Sequence, residues 1–212
     1  MYRIVLLISC SFLIFSCSNK QKVLPYYNTP DFTPLFIKND KEFHQKVTHT
    51  IANFSFLNQN NQYINQQNVE GKIHVANFFF TSCGSICPKM TNHMKLIQQA
   101  FLNDTTIQLL SYTVTPWIDS VQKLKVYAEA NEIKATNWQL LTGSKAAIYQ
   151  LARQSYFAEE DLGFTKDSTE FLHTEHFILV DKTKRIRGIY NGTLLLEIQQ
   201  LVKDIQLLKQ ED

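Results

Sequence analysis

The sequence predicts an α/β fold built on a mixed β-sheet, and three observations lead there. Ile73–Phe80, IHVANFFF, and Ile107–Val114, IQLLSYTV, are apolar runs that read as strands covered on both faces. Met90, Met94, Ile97 and Phe101 recur at helical spacing between them, and Ile198, Val202, Ile205 and Leu208 do so near the end. Phe177–Asp181 and Arg185–Tyr190 flank a turn at 182–184 and read as an antiparallel pair. Strands alternating with helices, closed by such a pair and a final helix, define the class.

The remaining elements follow in order. Residues 18–50 show no clear period, contain Pro25, Pro30 and Pro34, and read as a linker. Ile51–Ile64 combines Phe54 and Phe56 with the turn-rich NQNNQ and predicts a β-hairpin. Asp119-Ser120 opens a helix through Leu124, Tyr127 and Ala128, with Asp119 a candidate N-terminal cap. Trp138–Gly143, WQLLTG, is a short strand, and Ser144 caps the helix through Ile148 and Leu151. Gln154–Leu172 is charged and irregular and reads as an insertion before the late hairpin.

A chain of 212 residues suits one domain plus a tail. A formal net charge of +2 argues against nucleic-acid binding. With 44% apolar residues, only 6 Gly and 5 Pro, the chain is not of low complexity. Its start, MYRIVLLISCSFLIFSCSNK, has Arg3 before an apolar run from Ile4 to Phe15. That run is shorter than the roughly 20 residues a membrane span needs and fits a secretory signal peptide. Ile14-Phe15-Ser16-Cys17 resembles the lipobox of bacterial lipoproteins, with Cys17 the lipidated residue. Leu7-Ile8-Ser9-Cys10 also matches, but leaves an apolar region of only about six residues. The alternative is an uncleaved membrane anchor. Either way the body lies outside the cytoplasm, on the periplasmic side of a membrane. The expected organisation is a signal peptide over 1–17, a linker over 18–50 and one domain over 51–212.

Without that segment two cysteines remain, Cys83 and Cys87, in TSCGSICPKM. A disulfide closing so short a loop adds little stability, so a structural staple is a poor reading. Cys83 follows a central strand and Cys87 stands in the first turn of a helix. Open α/β sheets place their chemistry beyond the carboxyl ends of the strands. A helix N-terminus favours thiolate, which is both nucleophile and soft-metal ligand.

Strand, thiol pair, helix, late hairpin and final helix suggest a thioredoxin-like fold. The pair has three intervening residues where that fold's usual redox pair has two. Phe79-Phe80-Thr81-Ser82-Cys83-Gly84-Ser85-Ile86-Cys87-Pro88 resembles the motif of the Sco/SenC family of copper-binding cytochrome c oxidase assembly proteins. SYTVTPWIDSVQKLKVYA (111–128), WQLLTGSKAAIYQLA (138–152) and FLHTEHFILVDKTKRIRGIYNGT (171–193) resemble further family segments in the same order. The likeness runs from about Phe54 to Leu208. One position departs from it: Thr115 stands where the family's first Asp usually does, while Asp119 keeps the second.

The resemblance implies one copper ion, Cu(I) or Cu(II), held by Cys83, Cys87 and His173. Two thiolates and an imidazole suit copper, above all Cu(I). Structural zinc would want a fourth protein ligand, and none is obvious. His176, three residues on, would point to the opposite face of a strand. His44, His49, His74 and His93 read as surface or satisfied histidines, His74 placed before the central strand. Met90 and Met94 read as core.

Two functions follow. The first is a membrane-tethered copper chaperone delivering to the dinuclear copper site of cytochrome c oxidase subunit II. The second is a thiol–disulfide oxidoreductase acting on that subunit or other exported proteins, with Cys83 attacking and Cys87 resolving. His173 separates them, because only the carrier needs it. The late strand is also not preceded by the Pro usual in thioredoxin-type enzymes. An oxidising compartment makes a thiol reductant protein an expected partner, beside the membrane reached through the lipid anchor.

Overall fold

The structure, a computed structural model, describes residues 23–158 and 174–211. Helix α1 (Asp40–Lys46) precedes strands β1 (Ser55–Asn58) and β2 (Tyr63–Asn65), a one-turn helix α2 (Gln66–Val69) and strand β3 (Ile73–Phe79). There follow α3 (Cys87–Ala100), β4 (Ile107–Thr113), α4 (Val121–Ala130), β5 (Trp138–Thr142) and α5 (Lys145–Gln150). Helix α5 runs into a π-helical turn over Leu151–Ser155. Strands β6 (His176–Val180) and β7 (Ile186–Asn191) and helix α6 (Leu195–Leu208) complete the order.

The seven strands form one sheet in the order β2-β1-β5-β4-β3-β6-β7. Strands β3, β4 and β5 are parallel, and every other pairing is antiparallel. The expected mixed sheet, hairpins and closing helix are therefore present. Strand β3 lies between β4 and β6 and is buried along its whole length, which is why it reads as an unbroken apolar run. Its side chains alternate between two cores. Ile73, Val75 and Phe79 join Met90, Met94 and Ile97 of α3, Leu124 of α4 and Ile198, Leu201 and Ile205 of α6. Ala76 and Phe78 join Phe54, Phe56, Tyr112, Ile148 and Tyr156 on the other face. Polar side chains within the sheet are paired: Ser111 Oγ donates to Asn77 Oδ1 at 2.5 Å and accepts from Trp138 Nε1 at 2.8 Å.

Several expectations shift. Residues 23–50, which read as a linker, lie against the body: Leu24 and Val47 are buried, and Tyr27 pairs with Ile186. Arg187 accounts for this. Buried itself, it donates to the carbonyls of Leu24 (2.9 Å) and Pro25 (3.1 Å) and pairs with Asp181 (3.3 Å) and Glu211 (2.7 Å). Its guanidinium centre lies 4.0 Å from the ring centroid of Tyr26. The stretch expected as an insertion begins inside the second core, with Tyr156, Phe157 and Ala158 buried; the remainder up to residue 173 lies outside the described residues. His74 is the second residue of β3 rather than a residue before it, and is buried. Its Nε2 lies 3.1 Å from the hydroxyl of Tyr156, which contacts that of Tyr112 at 3.2 Å.

Candidate metal centre

The thiol loop hangs between the carboxyl end of β3 and the start of α3. Cys87 is the first residue of α3, Pro88 follows where its missing N–H costs nothing, and Ile86 at the cap offers no side-chain acceptor. The sulfur of Cys83 lies beside it, and interactions with the Cys87 thiol and with the backbone N–H groups of Cys87, Ser85 and Ile86 favour its thiolate. Free N–H groups at a helix start stabilise negative charge, so the loop satisfies the helix and favours the thiolate in one arrangement.

The two thiols are unlike. Cys83 is half-buried and Cys87 is 5% exposed; both are free. Burial works to raise the Cys83 thiol, but the hydrogen bonds from Cys87, Ser85 and Ile86 outweigh it and hold it below the ordinary value. Burial pushes the Cys87 thiol up to about 12, with the charges of Cys83 and Asp119 adding to the effect. Cys83, Ile86, Phe80 and Tyr127 pack on the edge of the core shared by α3 and α6.

Asp119 fixes the base of the loop. It does not cap α4; Ser120 does, accepting from Lys123 N at 3.2 Å. Asp119 is instead fully buried and accepts from Thr81 N (3.1 Å), Thr81 Oγ1 (2.5 Å), Thr113 Oγ1 (2.6 Å) and Thr115 Oγ1 (3.0 Å). Lys123 Nζ lies 3.5 Å from the same carboxylate and donates to Ser82 Oγ at 3.0 Å. Thr81 and Ser82, the two residues before Cys83, are thus tied to the ends of β4 and α4. Thr115, where a carboxylate was expected, is a donor to Asp119. A second acid there would press two buried carboxylates together, which the hydroxyl avoids. Sequence reasoning missed this role, although the hydroxyls at 81, 113 and 115 stand in the text.

The histidines sort as follows. His173 and Cys17 lie outside the described residues. Among those described, no three His, Cys, Asp or Glu side chains form a group able to hold a metal. His176 begins β6 and sets its ring edge-on to Phe32, 5.9 Å between centroids, and Phe32 packs on the core opposite to that of the thiols. His93 Nδ1 lies 2.7 Å from Gly192 O and His49 Nε2 2.7 Å from Ser155 O, while His44 is exposed. Met90 and Met94 are buried in the core.

Fold and loop together define a thioredoxin-like protein with a pair of unequal thiols, three residues between them, at a strand–helix junction. A model of the SCO1/SenC family matches residues 43–210, and the chain belongs to that family. It is 27% identical over 162 residues to the SCO1 protein homolog of Bacillus subtilis strain 168, spanning 76% of this chain and 83% of that protein. The structure is similar to BsSco, a member of the Sco family of cytochrome c oxidase assembly proteins in which a disulfide switch was identified. The TM-score is 0.66 at 26% identity, over 78% of this chain and 96% of that one. Copper-bound ScoI of Bradyrhizobium japonicum shares the fold, with TM-score 0.59 at 20% identity over 75% of this chain and 98% of that one.

Proposed function

We propose that this chain is an extracytoplasmic copper carrier for cytochrome c oxidase assembly, tethered to a membrane by a lipid on Cys17. Copper is its cargo, held by Cys83, Cys87 and His173 and passed to the dinuclear copper site of oxidase subunit II. The observation that carries the reading is the thiol pair itself: two free sulfurs in mutual contact, one half-buried, on a loop tied down from both sides. Two thiolates select a soft ion, and an imidazole completes a low-coordinate site from which copper can leave by ligand exchange. His176 serves the opposite core, which favours His173 as the third ligand. Family membership and the copper-bound relative support the cargo. Among the described residues no helix is long and apolar enough to cross a membrane.

The same pair supports a second reading, thiol–disulfide exchange. Cys83, the more exposed and more acidic sulfur, would attack a target disulfide and release one target thiolate. Cys87 would then lose its proton and attack Cys83, freeing the second target thiolate and leaving the carrier oxidised. A thiol reductant protein would restore the dithiol. The disulfide switch of BsSco favours this chemistry beside copper binding.

Copper binding decides between them. The reduced protein is titrated with Cu(I) against a competing chelator, beside His173→Ala, and the Cu(II) absorption spectrum is recorded. One tightly bound equivalent, with a thiolate-to-Cu(II) band that weakens or shifts in the variant, supports the carrier. Weak copper binding, or binding indifferent to His173, leaves the exchange enzyme.

A further inference from the structure

The carboxyl ends of the parallel strands β3, β4 and β5 lie at one end of the sheet, and the surface there is uneven in charge. On the side of β3, β4 and β5, residues 81–89, 114–126 and 142–149 contain Lys89, Lys123, Lys125 and Lys145 against a single acid, while Glu175 and Glu197 lie on the β6–β7 side of the same end. That acid, Asp119, is buried, accepts from threonine hydroxyls and pairs with Lys123. Two large apolar side chains stand among the lysines, Trp117 at 58% exposure and Ile118 at 47%. Lys145 Nζ lies 5.0 Å from the Trp117 ring centroid, and Lys123 reaches Ser82 beside Cys83. Lys145 thus adjoins Trp117, and Lys123, six residues on in the chain, adjoins the thiol loop.

We propose that Trp117 and Ile118, flanked by Lys123 and Lys145, form the docking surface through which the thiol loop meets a protein partner bearing an apolar recess with an acidic border. An exposed Trp beside cations is the composition of an interaction centre. A lysine-rich patch raises the encounter rate with an oppositely charged partner. Lipid headgroups of negative charge would also suit Trp and Lys, but placement favours a protein. Leu24 and Pro25 are fixed at the other end of the sheet: His74, near the beginning of β3, pairs with Val180, and Asp181 beyond it pairs with Arg187, which holds their carbonyls. The seven residues of β3 separate the two ends by about 20 Å. A lipid on Cys17, seven residues before Leu24, would bring the membrane nearer the Arg187 end than the thiol loop. Copper transfer as the purpose of this surface rests on the function proposed above.

The test uses the full chain in detergent micelles, as parent, Trp117→Ala, Lys145→Glu and the double variant. Copper(I) loading is measured first, then the rate of transfer to the copper domain of oxidase subunit II across a range of salt. Loading should be unchanged. Transfer by the double variant should slow about tenfold at low salt and lose much of its salt dependence. Intact loading with an unchanged transfer rate overturns the docking surface. If the parent takes no copper, the cargo is wrong and the surface is scored on the rate at which the reduced chain reduces the oxidised acceptor; an unchanged rate again overturns it. In a third arm the full chain sits in phosphatidylglycerol-containing vesicles with brominated acyl chains. Trp117 emission, isolated by comparison with Trp117→Phe because Trp138 is buried, should be unquenched. Quenching transfers the surface to the membrane.

Discussion

Removing the carboxylate of Asp119 should unfasten the thiol loop at a measurable cost. Asp119→Ala strands one backbone N–H and three hydroxyls that now donate at 2.5–3.1 Å, all within a site where Asp119 is fully buried. Each buried donor left without an acceptor costs about 1–3 kcal/mol, and breaking a buried charged pair by removing one side costs about 3–5 kcal/mol. The hydroxyls can rotate toward other acceptors; the N–H of Thr81 is fixed by the backbone. The expected loss is therefore about 3 kcal/mol for Asp119→Ala, and about 1–2 kcal/mol for Asp119→Asn, which keeps one acceptor oxygen. Urea denaturation of the reduced protein reads this from the midpoint and slope. Alkylation of Cys83 under native conditions gives a second reading, because a loosened Thr81–Ser82 segment should expose the sulfur more often. An Asp119→Ala protein within about 0.5 kcal/mol of the parent, with unchanged alkylation, would refute the role assigned to the network.

Further outcomes follow from the same structure. Iodoacetamide should modify Cys83 well before Cys87, with a pH midpoint below that of an ordinary thiol, and Cys87→Ala should raise that midpoint by removing a donor to the sulfur; mass spectrometry of quenched samples reads both. Burial lowers His74 to about 3 from its ordinary 6.5, so it folds neutral while the unfolded chain protonates. Stability held above pH 6.5 is then lost as pH falls toward 3, by about 2 kcal/mol between pH 6.5 and 5, and His74→Phe should flatten that limb in urea titrations across pH. Arg187→Ala should cost about 3–5 kcal/mol and speed proteolysis within residues 23–36, because two backbone carbonyls and two carboxylates lose their cation. Gly192→Ala should destabilise by about 1–3 kcal/mol, since its Cβ would sit 2.5 Å from Phe177 Cε1 and 2.8 Å from Glu175 O.

The parts of the fold visible in the sequence are those with a strong local period. Strand β3 and helix α3 announce themselves because burial on two faces and on one face leave different spacings. The thiol pair was placed at their junction from the same pattern. What escaped depended on distant partners. Asp119 looks like a cap because it precedes a helix, and only folding brings the hydroxyls of Thr81 and Thr113 to it. Residues 23–50 look like a linker because what holds them is not their own period but Arg187, a cation far along the chain. Tyr156 and Phe157 sit at the edge of a charged stretch whose composition masks their burial. Trp117 shows its importance only when its exposure is known.

The Arg187 clasp has a consequence for biogenesis. It joins Leu24 to a residue 163 positions later, and to Glu211 at the far end. A chain synthesised from its N-terminus therefore presents Leu24 and Pro25 long before their fastener exists. Such long-range closure is slow to form. Leu24 and Pro25 stay unsecured until Arg187 has been made, so closure of this clasp waits on a residue far along the chain and proteases have their opportunity before then.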